Sequence, residues 1–447
     1  MATPTHQLTD IGVQDHIAIE IPPAGSYDPL VLFLKEKMET KTTASCICRV
    51  NKKLVEKNAD QYIPQNIAIG PLHRDKNHLK TLEEHKWRYV FEATLDKCVK
   101  TLRELEHKAR LFYAEQIELQ SDEFVELMLV DGGFLIELFL KYAIKGLKRR
   151  GDYVFNTSGL LYELRCDMLL LENQIPYFIL QGLFEIVPIP EQCRLSLTEL
   201  AFRFFRSMIP GDHRLHLVKF GQEGNHLLDL IRHCFLPTLG RVKAKQEGQR
   251  GLPYKATKLK AAGIKLKKAT TEDLLDIKFG KGVLEIPPIE VHQYTERLFR
   301  NLIAFEQCCS ESTRHISSYV LLMKSLVQDE RDTKLLKAKQ ILTNYDVIEK
   351  KQVSTLFDRL WEDMNVTENV SNFEFYYDGL CEEVKEYKGP SWRQPQWHWK
   401  PMKEMKPGLI LQRRPLPRIA TVIAVVFILL VLVGALFSII SFFHHRF

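Results

Sequence analysis

Apolar side chains recur at every third or fourth position along most of the chain, the spacing of a helix with one buried face. Within residues 78–118 one stripe runs Leu95, Cys98/Val99, Leu102, Leu105, Ala109 and Phe112, and a second, further on, runs Tyr294, Leu298, Leu302, Phe305 and Cys309. Residues 124–144 and 160–184 are apolar on nearly every side, which places them at the centre of a core rather than on its rim. Strand-like runs are short. Residues 264–268, 274–279 and 283–286 lie close together, with Gly280, Lys281 and Gly282 spaced for a three-residue hairpin loop; residues 46–50 and 66–69 are two further candidates. The pattern predicts a mainly α fold, a large helical domain carrying one small antiparallel β-sheet.

The last apolar run is of another kind. Residues 419–443 (IATVIAVVFILLVLVGALFSIISFF) hold no charge over 25 positions, and at helical rise they span roughly 37 Å against about 30 Å of bilayer hydrocarbon. Only Thr421, Ser438 and Ser441 interrupt the run, whereas a core helix of that length carries a polar stripe. This predicts a C-terminal transmembrane helix. Arg413, Arg414 and Arg418 precede it, with Lys400, Lys403 and Lys406 close behind, and Arg446 follows it. That asymmetry puts the N-terminal domain in the cytosol. Residues 444–447 form a short tail, the layout of a tail-anchored protein in the plasma membrane or endomembranes. In this topology the sequons at Asn156, Asn365 and Asn369 stay away from the glycosylation machinery.

Between 388 and 418 the composition shifts to six prolines, three tryptophans (392, 397 and 399) and eight Lys or Arg against one Glu. Proline at that density breaks helices. Trp397, Trp399, Arg413, Arg414 and Arg418 are candidate membrane-surface contacts, because tryptophan among cations suits the headgroup layer of an anionic leaflet. A docked irregular tail fits the same composition. The expected organisation is a flexible N-terminus (1–26), a cytosolic helical domain (27–387), this juxtamembrane linker (388–418), the span (419–443) and the tail.

Composition changes the picture little, and charge changes it in one place. Charged residues at 26% and hydrophobic residues at 45% are ordinary for a globular chain. The net charge of +6 is concentrated: residues 241–268 hold ten Lys or Arg against the single acid Glu247, which leaves the rest of the chain at −3. Such a run can meet phosphates of lipid or nucleic acid. Its glycines, its Pro253 and its shortage of aromatics read more simply as a solvated loop leading into a short helix, and no nucleic acid is expected. Nine cysteines at irregular spacing fit no disulfide framework and are read as thiols in a reducing compartment. Residues 1–25 carry no apolar stretch of secretory type.

Candidate chemistry is sparse. "DMLLLENQIPYFIL" (167–180) sets Glu172, Asn173 and Gln174 between two apolar runs, with Pro176 disfavouring helical geometry at Ile175. A corner between two helices accounts for it, the carboxamides serving the carbonyls of one helix end and the amides of the next. The catalytic alternative gathers Glu172 with Asp131, Glu137, Asp229, Glu285 and Glu306 as an acid and base pair, against arginines such as Arg165, Arg297 and Arg300 that would neutralise them. For a metal, Cys46-x-Cys48 lacks a second pair, and adjacent Cys308-Cys309 cannot chelate as a zinc knuckle does. His213, His216, His226 and His233 with Cys234 have no recognised spacing, and His226 reads as a structural residue near a helix start. No P-loop, GxGxxG, GxSxG, HExxH or kinase set is present. The residues therefore predict no catalytic site, no cofactor and no metal.

Nine stretches in order resemble a plant family, domain of unknown function 247: CICRV at 46, YIPQNIAIGPLH at 62, KWRY at 86, DGGFLIEL at 131, LLLENQIPYFIL at 169, HLLDLIR at 226, ATKLKAAGIKLK at 256, LLDIKFGKGVLEIPPI at 274 and TERLFRNLIAFEQC at 295. Asn51 stands where the family usually has proline, and Gly133 where it commonly has cysteine. The resemblance implies a land-plant protein with a C-terminal membrane anchor, no established enzymatic activity and no catalytic residues to carry over. Some grass members are associated with self-incompatibility as recognition determinants. The expectation is a membrane-anchored interaction or signalling module, held by the bilayer through 419–443 and binding an unidentified protein partner. An enzyme using buried carboxylates and a lipid-surface sensor using 241–268 are the alternatives.

Overall fold

A computed structural model of the chain describes residues 46–191, 193–209, 219, 224–237, 240, 251–252, 254–271, 273–309, 314–344, 350–367 and 374–387. All of them fall in the first of the two units into which the chain divides, Met1–Arg393 and Gln394–Phe447. The expected span (419–443) and the linker contacts Trp397, Trp399, Arg413, Arg414 and Arg418 lie outside the described residues. Among the described residues no helix is long and apolar enough to cross a membrane.

The elements run α1 (Lys52–Lys57), α2 (Ala59–Tyr62), α3 (Lys80–Lys86), α4 (Leu95–Leu111), α5 (Ser121–Ala143), α6 (Tyr153–Asn156), α7 (Leu160–Met168), α8 (Tyr177–Phe184), α9 (Leu197–Phe205), α10 (Leu227–Phe235) and α11 (Ala256–Ala261). Strands β1 (Lys265–Lys268), β2 (Lys278–Gly280), β3 (Val283–Ile286) and β4 (Ile289–Val291) come next, then α12 (Gln293–Cys308), α13 (His315–Leu326), α14 (Glu330–Ala338), β5 (Leu342–Asn344), α15 (Lys350–Thr367) and α16 (Asp378–Glu386). The first predicted stripe is α4, with Cys98, Leu102 and Ala109 buried, and the second is α12.

The all-round apolar run 124–144 becomes α5, started by a capping box in which the Gln120 amide donates to Glu123 at 2.9 Å. Its sides are taken by α4, α8 and α9, so Phe134, Leu135, Ile136, Leu138 and Phe139 are sealed from water. Each such side chain contributes about 1.5–3 kcal/mol by leaving solvent. A second group forms around α12, which touches α2, α7, α10, α13 and α15.

The sheet differs from expectation. β3 pairs antiparallel with β2 but parallel with β1, giving a mixed three-stranded sheet in the order β1-β3-β2; β4 and β5 make a separate parallel pair. Direction follows from the connections. A tight hairpin reverses β2 into β3, whereas residues 269–277 carry the chain back after β1 so that β3 runs alongside it. The hairpin loop has two residues rather than three: Gly280 pairs with Val283, leaving Lys281 (φ 50°) and Gly282 (φ 76°), both in the left-handed region that two-residue hairpins of this hand require. The run 274–279 supplies only β2 at its end, its earlier part burying Leu274, Leu275 and Ile277 instead. Residues 46–50 contribute a single bridge, Ile47 to Tyr113. Residues 66–69 form no strand at all, for reasons given next.

Of the basic run, residues 241–250 lie outside the described residues. In the remainder Lys255 reaches Asp329 and Asp332, and Lys267 pairs with Glu285 at 2.8 Å. These cations serve the fold's own carboxylates.

Candidate functional site

The Glu-Asn-Gln triplet is a corner, as the pattern predicts, but it serves more than two helix ends. After α7 the Asn173 side chain donates to Asp167 O at 3.0 Å, and the Gln174 side chain donates to Met168 O at 2.7 Å and Leu170 O at 2.8 Å. The carbonyls at the end of α7 are thereby satisfied. The amides of the following helix are not the ones served. Gln174 Oε1 accepts instead from Leu228 N of α10 at 3.3 Å, and Asn173 Oδ1 accepts from Ile69 N at 2.7 Å.

That last bond belongs to a larger arrangement. Residues 63–70 lead from the surface at Gln65 into the interior, and from Pro64 onward side chains, not a neighbouring strand, are their backbone partners. Asp167 accepts from the amides of Gln65 (3.0 Å), Asn66 (2.7 Å) and Ile67 (3.1 Å) and from Arg297 at 2.9 Å. Asn173 donates back to Ile67 O at 3.0 Å. Gly70 N donates to Asp131 at 2.7 Å, and the other oxygen of that carboxylate accepts from the wholly buried Lys86 at 2.6 Å. Lys86 also donates to Ala68 O. Without such partners a buried ribbon of this kind would lose roughly 1–3 kcal/mol for every orphaned polar group.

Glu172 faces the other way. Its carboxylate accepts from Val50 N at 2.7 Å and from Arg49 at 3.0 Å, and Arg49 in turn reaches Glu115 at 2.8 Å and Leu72 O at 3.1 Å. These groups border a cleft of about 460 Å³, within the range of small-ligand sites. Val50, Val55, Tyr62 and Ile63 supply its apolar lining, while Lys52, Lys76 and Glu56 interleave charges with those of Arg49, Glu115 and Glu172. His73 also lines it, only 3% exposed. Its Nε2 is 3.3 Å from Glu172 Oε2 without the alignment of a hydrogen bond, and neither ring nitrogen has a hydrogen-bond partner among the described residues.

Burial holds the His73 pKa down to about 3, with Lys76, Arg49 and His78 adding to the effect; the Glu172 charge is already engaged by Arg49 and Val50. Burial likewise holds His226 down to about 4 against the opposing pull of Asp229. Both rings take a proton in the unfolded chain near pH 6.5 and not in the fold. Stability is therefore full above about pH 6.5 and falls as the pH drops toward 4, by up to ~1.4 kcal/mol per pH unit for each histidine. Urea midpoints followed from pH 7 downward should fall more steeply for the native chain than for His73→Gln. Parallel curves would mean that His73 carries its proton, or meets water, in the fold.

The other predicted carboxylates are distributed among separate networks. Asp131 pairs with Lys86, Glu137 with Lys141 at 3.3 Å and the half-buried Glu285 with Lys267. Only Asp229 and Glu306 are brought together, sharing Arg232 at 3.3 and 4.0 Å. Burial pushes Glu306 up, while His226, His233, the Asn225 amide and Arg232 outweigh burial to hold Asp229 down. The pair is sealed from solvent, and Glu306 already accepts from Ile316 N, Ser317 N and the Ser317 hydroxyl, capping α13. Arg297 matches Asp167, and Arg300 matches Glu296 and Asp363. Among the described residues Arg165 takes no acid: it donates to Phe204 O at 2.6 Å and lies over the rings of Tyr142 and Phe204. His226 caps α10 through Nδ1, which accepts from Asp229 N at 3.3 Å. His213 and His216 fall outside the described residues.

The profile of a plant protein family of unknown function, DUF247, matches residues 47–431. The chain belongs to the DUF247 family. Among curated relatives, UPF0481 protein At3g47200 of Arabidopsis thaliana is 28% identical over 401 residues, covering 83% of this chain and 82% of that protein. Putative UPF0481 protein At3g02645 of the same plant is 27% identical over 223 residues, covering 46% of this chain and 40% of that protein. No solved structure matches the chain. The stretches that carry the DUF247 resemblance are those that build the ribbon and the cleft wall. They supply Arg49, residues 63–70, Lys86, Asp131, Glu172 to Gln174, and Arg297 with Asn301, whose side chain accepts from Leu171 N at 3.0 Å.

Asp167 and Lys86 are central to this site and were not singled out by sequence reasoning. The signal was present: a lone charge at 167 between Cys166 and the run from Met168 to Leu171 has to be buried, and a buried charge needs partners.

Proposed function

We propose that this DUF247 protein is a membrane-anchored recognition module, not an enzyme, whose helical domain receives a segment of a partner protein in the cleft beside Glu172. The observation that carries the reading is the cleft itself. It combines apolar lining, a rim of both charges and a buried imidazole whose nitrogens have no hydrogen-bond partner among the described residues, which suits a peptide chain carrying polar side chains. The buried carboxylates that could serve as acid and base are instead held by amides, lysines and arginines. Attachment rests on residues 419–443, whose length and lack of charge suit a single span with the helical domain on the cytosolic side.

The test uses the full chain in microsomes. It should resist alkaline carbonate extraction, and the chain ending at residue 418 should not. After cross-linking, peptides of the captured partner should map to the cleft. Reversing charge at the rim with Lys52→Glu and Lys76→Glu should abolish capture at an unchanged melting temperature. Capture that survives both reversals would remove the cleft from the reading. Substrate turnover abolished by Glu172→Gln at unchanged stability would replace recognition with catalysis.

A further inference from the structure

Two cysteine pairs that lie far apart in sequence meet where the first described segment passes the end of α12. Cys308 is the last residue of that helix, and its Sγ lies 4.0 Å from Arg49 O, one of two acceptors its single proton can reach. Cys308 is hydrogen-bonded through sulfur to Cys48, and Cys309 to Cys46. The segment is fixed from its other side, where the amides of Cys46 and Ile47 both donate to Phe112 O, at 3.1 and 3.0 Å. Cys46 and Cys48 are buried; Cys308 and Cys309 are half-buried, and all four are thiols. Solvent therefore reaches the group through the helix end.

We propose that Cys48 and Cys308 form an oxidisable dithiol site, closed to a disulfide by peroxide and reopened by a dithiol reductant. In the first step a thiolate attacks one oxygen of hydrogen peroxide, giving a sulfenic acid and releasing hydroxide. In the second, the sulfur of the other cysteine attacks the sulfenic sulfur, an S–S bond forms, and the proton of that thiol leaves with the hydroxyl group as water. Two electrons pass from the two sulfurs to the peroxide. When the single Cys308 proton is turned from Arg49 O to the Cys48 sulfur, its hydrogen bond outweighs burial and lowers the Cys48 pKa, making Cys48 the thiolate and Cys308 the resolving sulfur. The neighbouring pair is a built-in contrast. The Cys46 hydrogen bond, burial and the surrounding sulfurs all push Cys309 up, which keeps it protonated and slow. A Cys48–Cys308 bond would tie the end of α12 to the residue preceding Arg49, and so to the wall of the Glu172 cleft.

The full chain, purified in detergent with its thiols reduced, is treated with stoichiometric hydrogen peroxide, alkylated and digested for mass spectrometry. The expected result is a peptide pair cross-linked between Cys48 and Cys308, lost on adding dithiothreitol and still formed in Cys46→Ser and Cys309→Ser. Full alkylation of both cysteines after peroxide, sulfinic acid at either, or a Cys46–Cys309 bond in its place would overturn the proposal. The native chain alone supplies this reading, so a variant that fails to fold does not decide it. The outcome is independent of whether the cleft has a partner.

Discussion

Replacing Asp167 with asparagine should destabilise the fold by about 3–5 kcal/mol, the range for removing one member of a buried charge pair. Asp167 is fully buried and stands opposite three amides and the Arg297 guanidinium, all of them donors. Asparagine keeps one acceptor oxygen and turns an NH2 toward that set, so at least one buried donor faces another donor. It also removes the negative charge that offsets Arg297. Glu285→Gln is the fitting comparison, because its partner Lys267 is exposed and such a pair contributes no more than about 1 kcal/mol. Urea denaturation followed by circular dichroism should separate the two variants clearly. Equal midpoints would mean that the 63–70 ribbon is held by something other than its carboxylate.

What the sequence exposes here and what it hides divide along one line. α4, α5 and α12 were legible because their signal is local: apolar positions spaced for a helix, and a run such as 124–144 too apolar to sit on a surface. The corner at 172–174 was legible for the same reason, since Pro176 and two carboxamides act within a few residues of themselves. Residues 66–69 misled because Ile67 and Ile69 alternate like a strand, yet the groups that bond their amides come from Asp167 and Asn173, about a hundred residues away. The direction of β1 against β3 was hidden in the same way, set by how residues 269–277 return and not by the pattern inside either strand. The cysteines make the case most sharply. Cys46-x-Cys48 and Cys308-Cys309 are each inadequate alone as a metal site, but the fold puts them side by side. Only the requirement that a lone buried charge be paired crosses such distances. Read at Asp131, Lys86 and Asp167, it would have found most of the polar interior.

Gly70→Ala should be nearly as damaging as Asp167→Asn, and for a reason that involves no charge. Gly70 has φ 80° and ψ 179°, a region that only glycine enters readily and that costs another residue about 1–3 kcal/mol. A Cβ built there falls 2.3 Å from the main-chain oxygen of Gln174 and 3.2 Å from the Tyr113 hydroxyl. Gln174 cannot yield easily, because its side chain is bound to Met168, Leu170 and Leu228, and Tyr113 donates to that same carbonyl at 3.1 Å. The ribbon must therefore move, and the Gly70 amide leaves Asp131. That adds about 1–3 kcal/mol for the buried groups left unsatisfied. Gly159→Ala isolates the backbone contribution: Gly159 also has φ 80°, but an added Cβ meets nothing within 4 Å, so its cost is about 1–2 kcal/mol of left-handed strain. A Gly70 variant no worse than the Gly159 variant would show that the ribbon accommodates the new methyl group. A markedly larger loss would place the extra cost in the contact between ribbon and corner, the junction on which the cleft wall at Glu172 is built.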